Sequence, residues 1–163
     1  PALPPTGYVG LHIVRDGLSW SGKDADGNAV RLVPPGTDGL TRIGISVRTP
    51  DPARMMAFYV DAMEFERVDA RTARCGDTLL FVEQGAGGSE SDDFIGLGYR
   101  YLTVQIFDAD RAMADIVARG GRLAREAISF GNVARFGFVK DPDGNWIEIS
   151  ARTSLTGSAP KLD

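Results

Sequence analysis

A strand–helix–strands pattern occurs twice in this 163-residue chain. Residues 40–48 alternate, with Ile43, Ile45 and Val47 on one side of a strand, and residues 100–107 alternate in the same way. Repetition on this scale constrains the possible folds more strongly than any single motif, because each copy must form the same local structure and then pack on its neighbour.

Each copy continues with a predicted helix and three further strands. Asp51-Pro52 is typical of a helix start in the first copy, and Asp108 serves the same purpose in the second. Short apolar strands separated by turns follow both helices. Residues 40–84 and 100–150 therefore each predict a βαβββ unit.

Aligning the two copies by their alternation gives an offset of 59 residues. It sets Val47 against Ile106 and Arg42 against Tyr101. The predicted fold is α+β, with paired βαβββ modules forming a curled mixed sheet around a concave cleft and the helices outside. Residues 38–152 form this domain, and a tail follows at 153–163.

Residues 1–37 predict a strand-rich N-terminal extension containing a β-hairpin. Its turn at 24–28, DADGN, matches the later turn at 141–145, DPDGN, at four of five positions. Both turns lead into a strand, and Arg31 stands where the later copy has Glu148. Two interpretations stay open: a remnant of an earlier module, or an added hairpin.

Composition excludes several classes of protein. The net charge of −4 argues against nucleic acid as a partner, because phosphate binding requires a basic patch. No apolar stretch approaches the roughly 20 residues that a membrane span needs. A single cysteine, Cys75, permits no intramolecular disulfide. With no signal-peptide pattern visible, we expect a cytoplasmic protein.

The end of the second copy carries a family resemblance. Residues 138–149, FVKDPDGNWIEI, resemble the closing signature of glyoxalase, bleomycin-resistance and extradiol-dioxygenase proteins, the vicinal-oxygen-chelate superfamily. Phe58-Tyr59 on the first helix is similar to a pair found in the same family. The resemblance covers roughly residues 40–150. It implies a cleft that binds a small molecule and, by analogy, a homodimer.

In metal-dependent members of that family, four inward positions supply the ligands, one on the first and one on the last strand of each half. The resemblance assigns these positions to Arg42, Glu83, Tyr101 and Glu148. Two acids remain, and both usual histidines are replaced. Arginine keeps its proton and cannot bind a metal.

This set of residues predicts that no cofactor is required. The Arg42 guanidinium would lie among Glu83 and Glu148 and neutralise them in place of the metal. A divalent metal, if one binds, would be held by the two glutamates. His12, the only histidine, is predicted to be a structural or surface residue. It becomes a third ligand or a general base only if the extension folds across the cleft.

The alternation places further side chains on the concave face. Arg135, on the next-to-last strand, is interpreted either as a contact for an acidic ligand or as a surface charge. The acidic loop at 89–93 is either simply solvated or a lid. For Phe81 and Trp146, core packing and an aromatic wall for a ligand both stay open. The other residues expected on this face are Ser46, Leu79, Phe81, Thr103, Gln105 and Trp146, all but Leu79 as ligand contacts.

Three functions are compatible with this site. The favoured one is a metal-independent protein that binds a polar or aromatic metabolite or antibiotic between aromatic walls such as Phe81 and Trp146. The alternative is a lyase, isomerase or epimerase that moves a proton with Glu148 or Tyr101, assisted by Arg42. A metal-dependent enzyme is the third. An extradiol dioxygenase is disfavoured, because its iron site needs two histidines.

Overall fold

The computed structural model describes residues 5–95 and 98–158. The extension forms three strands, and each half of the domain forms a strand, a helix and three strands. The elements are β1 (Tyr8–Val14), β2 (Trp20–Lys23), β3 (Ala29–Val33), β4 (Ile43–Thr49), α1 (Pro52–Ala57) continued by a π-helical turn (Phe58–Ala62), β5 (Glu66–Arg67), β6 (Thr72–Cys75), β7 (Thr78–Gln84), β8 (Tyr101–Gln105), α2 (Ala109–Ala118), β9 (Arg122–Phe130), β10 (Ala134–Lys140), β11 (Trp146–Arg152) and α3 (Thr153–Thr156).

The two halves share one topology, which confirms the paired βαβββ prediction. Their strand orders are β4-β7-β6-β5 and β8-β11-β10-β9. In each half the first and last strands pair in parallel across the intervening helix. Both helices begin with the same cap: the Asp51 carboxylate accepts from the Arg54 amide and the Asp108 carboxylate from the Arg111 amide.

These caps correct the offset between the halves. Asp51 and Asp108 are 57 residues apart, so the offset of 59 taken from alternation alone is wrong by two. Since alternation repeats every two residues, a shift of two preserves the pattern and leaves such an error undetected. The counterpart of Tyr101 is therefore Gly44, and Arg42 precedes β4.

The extension continues the first sheet. β1 pairs antiparallel with β4, and the seven-stranded sheet has the order β2-β3-β1-β4-β7-β6-β5. Strand β2 was not foreseen in the sequence. Its four residues, Trp20–Lys23, lie at the edge of the sheet and include a glycine, so they carry little alternation to detect.

The helix-facing sides of the two sheets meet in one core. This core includes Val47 and Leu80 from the first sheet, Ile147 and Ile149 from the second, and Tyr59 from the π-helical turn. The opposite sides of the sheets carry the polar alternation and are covered in part, since Ser46, Trp146 and Glu148 on these sides are each 8% exposed or less. Consequently the two halves within this chain do not place their outward-facing residues around a single cleft.

The aromatic pair that follows α1 packs in the core. Tyr59 is fully buried and Phe58 nearly so. The Tyr59 hydroxyl lies 3.3 Å from the Tyr8 hydroxyl and donates to Asp141 at 3.5 Å. It thus connects the extension, the first half and the turn before β11.

Parts of the predicted terminal segments lie outside the described residues, namely 1–4 of the extension and 159–163 of the tail. The described part of the tail begins with the short helix α3. Across 5–95 and 98–158, no helix is long and apolar enough to cross a membrane.

Candidate functional site on the second sheet

The outward side of the second sheet gathers most of the predicted site residues. Strand pairing places Tyr101 beside Trp146 and Thr103 beside Glu148 on β8 and β11. Phe138 of β10 lies directly opposite Glu148. Cross-strand neighbours of this kind are about 5 Å apart, so these five side chains form one continuous surface.

Glu148 is the buried acid of this surface. It is 8% exposed, and its one hydrogen bond to a described residue is a long contact of 3.5 Å from the Thr103 hydroxyl. A carboxylate taken out of water normally gains strong donors in exchange. Glu148 therefore has acceptor capacity left for a donor or cation on a ligand.

An aromatic ring from outside the sheet covers part of this surface. Phe94 stacks on Phe138, with ring centroids 4.7 Å apart and an interplanar angle of 13°. Its edges meet Tyr101 and Trp146, both at 5.7 Å. The Arg125 guanidinium lies 5.3 Å from the Phe94 centroid on the outer side. We call this arrangement the aromatic slot.

The segment that carries Phe94 is held down by charged contacts. Glu90 accepts from Lys140 at 2.5 Å and from Arg122 at 3.0 Å. The Trp146 indole N–H donates to the Ser91 carbonyl at 3.1 Å. The pair of Glu90 with Arg122 is about half exposed, where ion pairs are weak and screened by salt. Lys140 is only 11% exposed and also donates to the Ser91 carbonyl at 2.7 Å. The loop predicted at 89–93 thus lies over the site.

The contact pattern of Arg42 and Glu83 differs from the prediction. Arg42 pairs with Asp77 at 3.1 Å, and both side chains are exposed. Glu83 pairs instead with Arg48, also at 3.1 Å. Arg42 lies before β4, and Glu83 and Glu148 lie on two different sheets, so the expected bridge between the two acids is not formed.

Strand register identifies the first-half counterpart of Glu148. Thr103 pairs with Glu148, and its counterpart at the corrected offset, Ser46, pairs with Phe81. The carboxylate position of the second half is therefore filled by an aromatic residue in the first.

Ser46 and Phe81 lie on the outward side of the first sheet, where they contact the extension. The Ser46 hydroxyl lies 2.9 Å from His12 Nε2, and the Phe81 ring meets the His12 ring edge-on at 5.3 Å. His12 is thus placed against the first half, away from Glu148. Leu79, also predicted for the concave face, packs with Val33 and Leu40 in a small apolar cluster.

Arg135 has a structural contact. Its guanidinium donates to both carboxylate oxygens of Asp110, at 2.6 and 2.8 Å, and to the Ser129 hydroxyl at 3.0 Å. A bidentate pair of this kind fixes α2 on β10. Gln105, in contrast, is exposed at the end of β8 on the same side as Thr103.

The donor set does not fit a metal ion. Across the described ranges, no three histidine, cysteine, aspartate or glutamate side chains lie close enough together to hold one. Glu83 is paired with an arginine, and Glu148 has a hydroxyl and aromatic rings as neighbours. Such surroundings lack the imidazole or multiple oxygen ligands that divalent metals require.

Three residues of the slot were not foreseen: Phe94, Phe138 and Arg125. Phe138 was visible as an alternating position on β10, two residues before Lys140, but the strand was not assigned a face. Phe94 is in a loop without periodicity, so no local pattern indicates that it folds back onto the sheet.

Comparisons with known proteins agree with this fold. The family model described as the Glyoxalase/Bleomycin resistance protein/Dioxygenase superfamily matches residues 40–149. A search of curated protein sequences gave no match.

Solved structures are similar at low identity, which supports the fold alone. A glyoxalase/bleomycin resistance protein/dioxygenase family enzyme from Burkholderia phytofirmans PsJN is 14% identical, with TM-score 0.54, covering 67% of this chain and 96% of its own. TioX from Micromonospora sp. ML1 is 19% identical, with TM-score 0.53, covering 67% of this chain and 96% of its own. A glyoxalase-related enzyme from Fulvimarina pelagi is 19% identical, with TM-score 0.52, covering 74% of this chain and 96% of its own.

The family model spans more than half of the chain, and the paired βαβββ topology agrees with it. The chain belongs to the glyoxalase/bleomycin resistance protein/dioxygenase superfamily.

Proposed function

We propose that this protein binds a small, flat aromatic molecule, a metabolite or an antibiotic, in the aromatic slot of the second sheet, and that it does so without a metal. The observation that carries the proposal is the position of Phe94. Its ring lies stacked on Phe138 and flanked by Tyr101 and Trp146, as a flat ligand would lie.

Phe94 occupies this place as part of the chain and can leave it with its loop. The contacts that hold the loop include two surface ion pairs, Glu90 with Arg122 and Arg125 with Asp93, beside the hydrogen bonds of Lys140 and Trp146 to the Ser91 carbonyl. Exchange of Phe94 for a ligand ring would replace one aromatic stack by another. The net cost is then mainly that of freeing the loop.

Glu148 gives the slot a preference for charge. Its carboxylate lies beside Phe138 and Trp146 at the floor of the surface and accepts, from the described part of the chain, one long hydrogen bond. A ligand that is aromatic and also cationic, or that carries an N–H donor, would satisfy this acid. An anionic ligand of the same shape would be repelled by it.

Calorimetric titration with two planar probes tests the proposal. Proflavine is a flat monocation, and anilinonaphthalene sulfonate is an aromatic anion. We expect proflavine to bind more tightly, and Phe94→Ala to strengthen its binding by up to about tenfold, because the competing ring is removed. Glu148→Gln should weaken proflavine binding by about tenfold and strengthen binding of the anion, because the charge that repels it is removed.

Phe107→Ala provides the matched control. Phe107 belongs to the same half, is 75% exposed and lies outside the slot. Its removal should change neither affinity. If Phe94→Ala and Phe107→Ala behave alike, the slot is not the ligand site.

A second candidate, proton transfer, rests on the same Glu148. A buried carboxylate with spare acceptor capacity can serve as a general base, and Tyr101, at 38% exposure, lies on the same face two residues before Thr103, which pairs with Glu148. The Arg42 assigned to this reaction is paired with Asp77 instead. Under this alternative, Glu148→Gln abolishes turnover of a substrate and leaves its binding nearly intact, whereas a binding role makes affinity the quantity that falls.

A further inference from the structure

The extension repeats the strand arrangement of a module without its helix. In each half, a first and last strand pair in parallel, and a third strand pairs antiparallel with the last. In the extension, β1 and β3 pair in parallel and β2 pairs antiparallel with β3. The order β2-β3-β1 is thus the mirror of β4-β7-β6 across the line where β1 meets β4.

The two DxDGN turns agree in their hydrogen bonds as well. Asp24 accepts from the amides of Asp26 and Asn28 at 3.0 and 2.9 Å, and from the Asn28 side chain at 2.9 Å. Asp141 accepts from the amides of Asp143 and Asn145 and from the Asn145 side chain at 3.0, 2.9 and 2.8 Å. The similarity of the two sequences therefore extends to their geometry.

Pairing across the seam is symmetric. Gly10 lies opposite Ser46, and His12 lies opposite Gly44. His12 also pairs with Arg31 across β1 and β3, as Thr103 pairs with Glu148 in the second half. The positions that face outward in a module thus meet, from the extension and from the first half, along this seam.

A cavity of about 230 Å³ lies along this seam. Three ionised side chains line it, Arg31, Arg48 and Glu83, and Asp38, which is not part of the lining, pairs with Arg31, so two arginines face two acids here. Each arginine uses a single described acid contact, Arg31 to Asp38 and Arg48 to Glu83, both at 3.1 Å. Each guanidinium therefore keeps N–H donors for another acceptor.

His12 adds a polar group without a full set of partners. Its Nε2 is 2.9 Å from the Ser46 hydroxyl, while its buried Nδ1 has no hydrogen-bond partner in the described residues. Burial, and next the nearby Arg31 guanidinium, lower the pKa of His12 below its ordinary value. The lowered pKa disfavours a charged imidazole, so the cationic groups of the cavity are its arginines.

From these contacts we infer that the seam between β1 and β4 is a second binding site, which takes a small carboxylate between Arg31 and Arg48, beside His12 and Ser46. A carboxylate matches the paired N–H donors that each guanidinium presents. The bound carboxylate would replace Glu83 as the partner of Arg48. This site does not depend on the aromatic slot, which lies on the other sheet.

The single histidine makes the inference measurable. Because His12 is the only one in the chain, its imidazole gives one unambiguous set of NMR signals. Benzoate is the probe, and benzamide is the neutral control of nearly the same shape. At constant pH we expect a saturable shift of the His12 signals with benzoate, at millimolar affinity, and none with benzamide.

Two variants locate the carboxylate. Arg48→Gln and Arg31→Gln should each weaken benzoate binding by about tenfold, since each removes a charge-assisted hydrogen bond. Both side chains are more than 40% exposed, so folding should survive, which an amide NMR spectrum checks. Arg67→Gln, at the exposed far end of the same sheet, should leave the affinity unchanged.

Three results would overturn the inference: a shift that does not saturate, an equal shift with benzamide, or unchanged benzoate affinity in both folded arginine variants.

Discussion

At the residue scale, two aspartates show how burial decides the chemistry of identical local geometry. Asp24 and Asp141 accept the same three hydrogen bonds from their turns. The side-chain hydrogen bond from Asn28 lowers the pKa of the exposed Asp24. Burial raises the pKa of Asp141 from 3.8 to about 6, although its hydrogen bonds oppose the shift.

The raised pKa of Asp141 predicts a pH dependence of stability. The folded chain holds this proton more tightly than the unfolded one, so the contribution is complete below pH 3.8 and is lost as the pH rises through about 6. Relative to Asp141→Asn, the wild type should lose up to about 3 kcal/mol of unfolding free energy over this range. Urea unfolding of both proteins between about pH 3.5 and about pH 7 measures this loss, because that range spans the unfolded and the folded pKa of Asp141. Parallel curves for the two proteins would contradict the expectation.

Asn145 and Asn28 occupy the same position in the two turns, so replacing each compares the stability cost of losing its hydrogen bonds in a buried and in an exposed turn. Asn145 is 2% exposed, and its side chain also accepts from the Gly7 amide at 2.6 Å, before β1. Asn145→Ala should therefore cost about 1–3 kcal/mol, because buried partners lose their hydrogen bonds. Asn28→Ala, in the exposed turn, should cost about 1 kcal/mol or less. Equal losses in chemical unfolding would mean that burial does not distinguish the turns.

At the element scale, the loop over the aromatic slot is the segment most open to experiment. Glu90 accepts hydrogen bonds from Lys140 and Arg122. These hydrogen bonds, chiefly the one from Lys140, lower the pKa of the Glu90 carboxyl. Glu90→Gln weakens both contacts. We expect protease cleavage of the loop to become several-fold faster, and the difference from the wild type to shrink in high salt.

Glu66→Gln is the control for this loop. Glu66 forms an exposed ion pair with Arg74 on the first sheet, away from the slot. Its replacement should leave the cleavage rate unchanged. If both variants are cleaved at the wild-type rate, the charged contacts do not hold the loop.

The secondary structure was largely predictable because the periodicity of the halves is strong. The strand at 78–84 is β7 without change, and the helix after Asp108 begins at its cap. Prediction was poorer where a segment has no period, as in β2 and in the loop that carries Phe94. In such segments only long-range contacts determine the conformation.

At the scale of the whole molecule, the same alternation that revealed the repeat concealed its register. Every second residue of a strand faces the same way, so Arg42 and Gly44 are equivalent by pattern alone. The Asp51 and Asp108 caps were the signal that fixes the offset. With the corrected register, Tyr101, Trp146 and Glu148 stay together, and Arg42 and Glu83 leave the set.

The arrangement of the two sheets could not be read from the sequence. Both halves have an apolar face of the same kind, and the local sequence pattern does not determine whether the two faces pack against each other within one chain. In the structure the two apolar faces form one core, and β1 of the extension pairs with the edge of β4. The outward sides of the two sheets then form separate surfaces, one with the aromatic slot and one with the seam cavity.

The central claim is that a flat ligand enters the aromatic slot without a metal, and Trp146 reports on it directly. The chain has two tryptophans, so Trp20→Phe leaves the fluorescence of Trp146 alone. This protein is titrated with proflavine before and after dialysis against EDTA. The account predicts saturable quenching with the same midpoint in both titrations. Loss of quenching after EDTA treatment, or quenching that never saturates, would contradict it.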